Sequence, residues 1–136
     1  MLRLGTVFAA ESKIARFAKM EQSQELKRVT EYLRDLQSRI CTSLEETDGG
    51  ATFRQDVWEQ DNGSGRTYIL SNGRVFEQGG VNFSHVYGSA LPAAASSRHP
   101  ELGGSPFQAT GVSLVVHPHN PFIPTSHMNC LLYTSP

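Results

Sequence analysis

A β-branched run that leads into a loop with three prolines constrains this 136-residue chain more than any other feature. Val112 to Val116 has the apolar composition of a buried strand. Pro118, Pro121 and Pro124 follow it. Each proline fixes its own φ and pushes the preceding residue towards extended geometry. The sequence therefore predicts a last strand from Phe107 to His117 and then a stiff loop.

The stretch from this strand to the end of the loop also carries chemistry. His117, His119 and His127 hold imidazoles, which titrate near neutral pH and bind metals. Their spacing lacks the carboxylate or cysteine partners of a standard zinc motif. Two interpretations stay open here: a metal or proton-transfer site, or loop histidines bonded to backbone carbonyls.

Ser113 lies within the same strand, but the sequence around it lacks the second glycine of a nucleophile elbow. We therefore interpret it as a hydrogen-bond donor in a cleft. Ser113 and His117 are four residues apart, so alternation along a strand predicts one shared face. We expect His127 to face the same cleft.

The first half of the chain predicts one long helix. Apolar residues recur at spacings of three and four; they are Leu26, Val29, Leu33, Leu36, Ile40 and Leu44. Asp48-Gly49-Gly50 is a helix stop, because glycine readily adopts the left-handed conformation. Cys41, at the edge of the stripe, is expected to be a small semi-buried thiol rather than a reactive one.

After the helix, the pattern of residues changes to an alternation with a period of two, which predicts strands. Asp61 to Gly65 is interpreted as a flexible turn. Asn72-Gly73 between two β-rich runs predicts a hairpin. Gly79-Gly80 is expected to break the chain before a strand from Val81 to Tyr87. His85, in that strand, is interpreted as a satisfied inner histidine.

The next segment is rich in Ala, Ser, Pro and Gly, so Gly88 to Pro106 is predicted to be a long connection with one helical turn at Ala93–Ser97.

The fold class predicted from these elements is α+β. A leading amphipathic helix packs on a mostly antiparallel β-sheet.

Charge and composition exclude several function classes. The net charge of −1 gives no electrostatic basis for binding nucleic acid. No apolar run is long enough to span a membrane. Two cysteines do not form a disulfide framework, which indicates a reduced, cytoplasmic location. The basic stretch from Met1 to Lys19 leaves mitochondrial or plastid targeting as the alternative.

Several long motifs, in order, closely resemble the oxygen-dependent coproporphyrinogen-III oxidases. The resemblance covers roughly residues 26–129. Its motifs are Phe53 to Trp58, Gly63 to Arg66, Asn72 to Glu77, Gly79 to Gly88, Arg98 to Leu102 and Gly111 to Asn129.

The resemblance implies oxidative decarboxylation of coproporphyrinogen III to protoporphyrinogen IX, with O2 as electron acceptor, in haem biosynthesis. It implies a homodimer in the full-length family and no organic cofactor. It makes His127 the proton donor and places Ser113 and Asn129 against the substrate. His117 and His127 are the positions implied for a divalent metal.

The chain departs from the family pattern after Asn129, where an arginine is expected two residues on and Leu131 stands instead. We therefore expect an N-terminal extension at 1–22, a partial oxidase domain at 23–129 and a non-family tail at 130–136. A fragment of this kind is expected to be inactive by itself. Two rival functions stay open: a porphyrinogen- or partner-binding module without catalysis, and a histidine-based metal hydrolase.

Overall fold

The computed structural model describes residues 24–91, 93–97, 100 and 103–134. The predicted N-terminal extension and most of the Arg98–Leu102 motif lie outside these residues. The elements follow one another as a long helix, three strands, a short helix and two strands. They are α1 (Gln24–Asp48), β1 (Arg54–Gln60), β2 (Gly63–Ser71), β3 (Phe76–Gly88), α2 (Ala93–Ser96), β4 (Phe107–Pro118) and β5 (Ser126–Thr134).

Helix α1 forms where the apolar stripe predicted it and buries that stripe against the sheet. Leu33 and Cys41 of the helix join Val81, Phe83 and Val112 in one core cluster. The three strand residues are completely buried. Burial raises the pKa of the Cys41 thiol to about 12, so it stays protonated and unreactive at neutral pH. Cys41 is thus buried more deeply than the predicted semi-buried thiol, and its raised pKa agrees with the expectation that it is unreactive.

The five strands form one sheet in the order β1-β2-β3-β4-β5, and every neighbouring pair is antiparallel. The α+β prediction is thus confirmed. The predicted hairpin joins β2 to β3. Asn72 adopts a left-handed φ of 55° there, and its N–H donates to Glu77 O at 2.9 Å. Asparagine tolerates this conformation better than most residues.

Two glycine predictions were wrong. Gly63 to Gly65 begins β2 instead of forming a flexible turn, and the turn is limited to Asp61 and Asn62. The Trp58 ring lies over Gly65, in the space that a Cβ would need. Gly79-Gly80 does not break the chain, because both glycines pair with β2 and β4 inside a continuous β3.

The prediction that Phe107 to His117 is the last strand was wrong, because a further strand begins where the stiff loop carrying His127 was expected. β5 runs from Ser126 to Thr134 and pairs along β4 from Val116 back to Gln108. Most of its side chains are exposed. The helical turn predicted at Ala93–Ser97 is confirmed as the short helix α2.

Asp48, at the end of α1, ties the helix to the β2–β3 turn. Its carboxylate is buried and accepts N–H groups from Phe76, Arg74, Val75 and Ala51 at 2.9–3.0 Å. These bonds hold the pKa of the Asp48 carboxyl far below its usual range, and the bond from the Phe76 N–H lowers it most. The residue predicted only as a helix stop therefore also fixes the turn.

A buried glutamine joins the middle of α1 to the sheet. The Gln37 amide nitrogen donates to Val81 O at 2.9 Å and to Arg66 O at 2.6 Å. Its oxygen accepts from Arg66 Nε at 2.8 Å. A buried amide with all these bonds fixes the position of the helix along the strands. No helix among the described residues is long and apolar enough to cross a bilayer.

Candidate functional site

The strand register divides the sheet into two faces. Val81, Phe83 and Val112 point towards α1, and their side of the sheet is called the helix face. Successive side chains on a strand point to opposite sides. Asn82 and Ser113 therefore lie on the other side, which is called the open face. Within the described part of the chain, the core contacts of α1 are all made to the helix face.

The open face brings together all the residues singled out on β4 and β5. Ser113 is directly opposite Asn129, and Val115 is directly opposite His127. His117 is two positions from Val115, so it shares the same face. The prediction that Ser113, His117 and His127 face one side of the sheet is confirmed. Their chemical roles stay predictions.

His117 and His127 occupy diagonal positions on neighbouring strands, because His127 pairs with Val115 and not with His117. Diagonal neighbours on one face are about 7–8 Å apart, within reach of long side chains. The Thr125 hydroxyl and His117 Nδ1 are 3.2 Å apart and form a hydrogen bond. This bond leaves Nε2 of His117 for another partner.

The proline loop between these two histidines is anchored by His119. His119 Nε2 lies 2.9 Å from Gly73 O, and the His119 N–H donates to Val75 O at 2.9 Å. Both acceptors belong to the β2–β3 turn. For His119, the interpretation as a loop histidine bonded to a backbone carbonyl is therefore confirmed. The loop is held against the turn that Asp48 fixes from the other side.

The donor set on the open face fits a metal only in part. His117 and His127 supply two imidazoles, whereas catalytic zinc sites use three protein ligands. The described residues contain no cluster of three or more histidines, cysteines or acidic side chains able to hold an ion. Within the described residues, a metal bound by these two histidines would therefore have no third histidine, cysteine or carboxylate ligand.

The helix face holds the remaining histidine of interest. His85 pairs with Thr110 across β3 and β4, and its Nε2 lies 3.1 Å from Gln108 Oε1. The prediction of a satisfied inner histidine is confirmed. The exposed thiol, Cys130, also belongs to the helix side of β5, opposite Val112.

The sequence analysis missed one polar residue beside Ser113. Asn82 is the direct partner of Ser113 on β3, and it also pairs with Thr67 of β2. The Thr67 hydroxyl donates to Asn82 Oδ1 at 2.7 Å. Asn82 directly precedes the apolar Phe83, so the alternation of side chains along the strand could have placed it on the polar face. Its position beside Ser113 depends on the register of two separate strands.

Comparison with protein families matches this chain over residues 28–135 to the family model described as coproporphyrinogen III oxidase. The match begins one turn into α1 and extends through β5. The chain belongs to the coproporphyrinogen III oxidase family. The family's enzymatic activity is the oxidation of coproporphyrinogen III in haem biosynthesis.

For a coproporphyrinogen III oxidase, the open face offers hydrogen-bonding groups rather than a closed pocket. Ser113 and Asn82 are partly buried, whereas His117, His127 and Asn129 are exposed. Hydroxyl and amide groups can donate hydrogen bonds to carboxylates, and an imidazole can also transfer protons. The described residues place these groups on one surface and leave that surface accessible to solvent.

Proposed function

We propose that this chain forms part of the substrate-binding face of an oxygen-dependent coproporphyrinogen III oxidase. The reaction is the conversion of coproporphyrinogen III to protoporphyrinogen IX. Each of two propionates loses CO2, one proton and two electrons and becomes a vinyl group, and for each propionate one O2 takes up two electrons and two protons to give H2O2. The observation that carries the proposal is the shared face of Ser113, His117, His127 and Asn129.

His127 is the proton donor in this proposal. It is exposed on the open face of β5, two residues before Asn129, which is directly opposite Ser113. An imidazole can both donate and accept a proton, which suits proton transfer to a reacting ring or side chain. Ser113 and Asn129 face each other across β4 and β5, so one substrate carboxylate can accept hydrogen bonds from both.

The substrate itself supplies the electron-rich centre, so the proposal contains no flavin or haem. The protein must orient the tetrapyrrole, exclude water and manage protons. His117 and His127 are the residues that a divalent metal would contact, and its role there would be to polarise a bound oxygen ligand. No proposed step depends on it.

Catalysis requires a covered site, and the described residues leave the open face uncovered. We therefore propose that this chain alone does not turn over coproporphyrinogen III. The homodimer implied by the resemblance also stays a proposal. The exposed outer strand β5, with Leu131, Leu132 and Tyr133 at 38–46% exposure, is compatible with further protein packing there.

The test uses this chain extended with the C-terminal portion of a family member. Protoporphyrin fluorescence is measured after incubation with coproporphyrinogen III under air and under argon. We expect turnover under air only, and a loss of about 10²–10⁴-fold with His127→Ala. His85→Gln is the control, because His85 lies on the helix face and glutamine can still bond Gln108.

The rival functions predict different results. A binding module would retain porphyrin but show no turnover in the extended protein. A metal hydrolase would need retained zinc, and turnover would not require air. Equal turnover under air and argon, or an unaffected His127→Ala variant, would contradict the proposal.

A further inference from the structure

One row of polar side chains crosses the whole open face. Its members are direct cross-strand partners, one on each of the five strands. They are Asp56, Thr67, Asn82, Ser113 and Asn129. Direct partners project on the same side of a sheet, and neighbouring strands lie about 4.8 Å apart. The row is therefore a continuous line of hydrogen-bonding groups.

Asn82 is the fixed member of this row. The Thr67 hydroxyl donates to Asn82 Oδ1 at 2.7 Å from the β2 side. The amide nitrogen of Asn82 is then left for partners on the β4 side, where Ser113 lies. A side chain already held by a neighbour loses less conformational freedom on binding than a mobile one.

The amide nitrogen of Asn82 is also within reach of solvent. Among the described residues, the one side-chain polar atom that is buried without a hydrogen-bond partner is Thr30 Oγ1. The amide nitrogen of Asn82 is therefore not such a buried atom. Asn82 is partly buried, and Thr67 is its side-chain partner. Its NH2 group can therefore donate two hydrogen bonds to a ligand above the sheet.

The row defines the class of ligand. On the β3–β5 side, Asn82, Ser113 and Asn129 present amide and hydroxyl donors, which suit an anionic oxygen group. At the β1 end, the carboxylate of Asp56 disfavours an anion. A bound carboxylate is therefore directed to the β3–β5 half of the row.

We infer that Asn82, oriented by Thr67, is a further substrate-binding residue that holds one propionate together with Ser113 and Asn129. This inference rests on the proposed function, which supplies the tetrapyrrole carboxylates. Asn82 binds the carboxylate directly. Thr67 is a positioning residue that acts through Asn82.

The test measures binding of coproporphyrin III, the stable oxidised analogue with four carboxylates, to the whole chain and its variants by porphyrin fluorescence. Loss of one hydrogen bond to a charged group should make binding of Asn82→Ala about tenfold weaker. Asn82→Asp should bind more weakly still, since it adds a negative charge. Thr67→Val should weaken binding about threefold, because it frees the Asn82 side chain.

Two controls separate carboxylate recognition from general effects. Gln60→Glu adds the same charge at an exposed position of β1 on the same face, away from the row. It should bind coproporphyrin III like the unmodified chain. The tetramethyl ester of coproporphyrin III, which has no free carboxylate, should bind the unmodified chain and Asn82→Asp equally.

The outcomes distinguish this inference from the proposed function. If the unmodified chain binds coproporphyrin III and both Asn82 variants bind it equally well, the inference is overturned and the proposed function stands. A Gln60→Glu effect as large as that of Asn82→Asp also overturns it. If the unmodified chain binds no porphyrin, the inference is overturned, and the turnover test of the extended chain decides the proposed function. Asn82→Ala and Thr67→Val decide the case if Asn82→Asp fails to fold.

Discussion

The two faces of the same sheet differ in burial and polarity along β3 and β4. On the helix face, Val81, Phe83 and Val112 are completely buried under α1. The neighbouring residues on these strands, Asn82 on β3 and Ser113 on β4, are polar and accessible to solvent. The comparison shows that alternate residues of β3 and β4 serve separate purposes. The helix face holds the domain together, and the open face carries the residues of a candidate binding site.

The strongest test of this division removes a ring from the helix face. Phe83→Ala should destabilise the chain by about 3–5 kcal/mol, because it loses buried apolar surface and leaves a cavity under α1. Urea unfolding followed by the fluorescence of Trp58, the one tryptophan of the chain, measures this.

Ser84→Ala is the control on the same strand, because Ser84 faces the open side. It should change the free energy of unfolding by less than about 0.5 kcal/mol. Similar effects for the two variants would contradict the division into a structural and a functional face.

An intermediate effect is expected at Asp48, which ties the helix end to the β2–β3 turn. Asp48→Asn should destabilise the chain at neutral pH, because a neutral amide accepts the backbone N–H groups less strongly. Unfolding midpoints in urea, measured as a function of pH, follow this effect.

The sign of the pH dependence follows from the lowered pKa of Asp48 in the folded state. The stabilisation is fully present above the unfolded pKa of about 3.9 and is lost as the pH falls towards the folded value. The difference between Asp48→Asn and the unmodified chain should therefore shrink in acid. Glu46→Gln, an exposed change on the same helix, should show no such trend; a pH-independent Asp48→Asn effect would refute the mechanism.

The smallest effect is expected on the loop that leads from β4 to β5. His119→Ala should leave global stability nearly unchanged, since His119 is exposed. It removes the side-chain bond to Gly73 O that helps to hold the loop on the turn. Amide hydrogen exchange should therefore become faster at residue 119, whose N–H bonds Val75 O.

The amide of Val112, within the sheet, is the internal control and should keep its protection. Unchanged exchange at residue 119 would show that the prolines alone fix the loop. In that case, backbone stiffness and not a hydrogen bond would position His117 and His127 on the open face.

Local patterns were sufficient for the elements whose cause is local. The leucine-rich stripe predicted α1, because helical spacing appears directly in the order of residues. Asn72-Gly73 predicted its hairpin, because turn geometry depends on neighbouring residues. The shared face of Ser113 and His117 followed from the period of a single strand.

Contacts between distant segments decided the rest. Gly63, Gly79 and Gly80 looked like breaks in sequence, but strand pairing on both sides holds them extended. The carboxylate of Asp48 reaches residues more than 25 positions away. The family motifs indicated roles for Ser113 and Asn129, but only the register of β4 with β5 sets them opposite each other. Sequence periodicity determines which face a residue occupies; only the paired sheet determines its neighbours, because register is a property of two strands together.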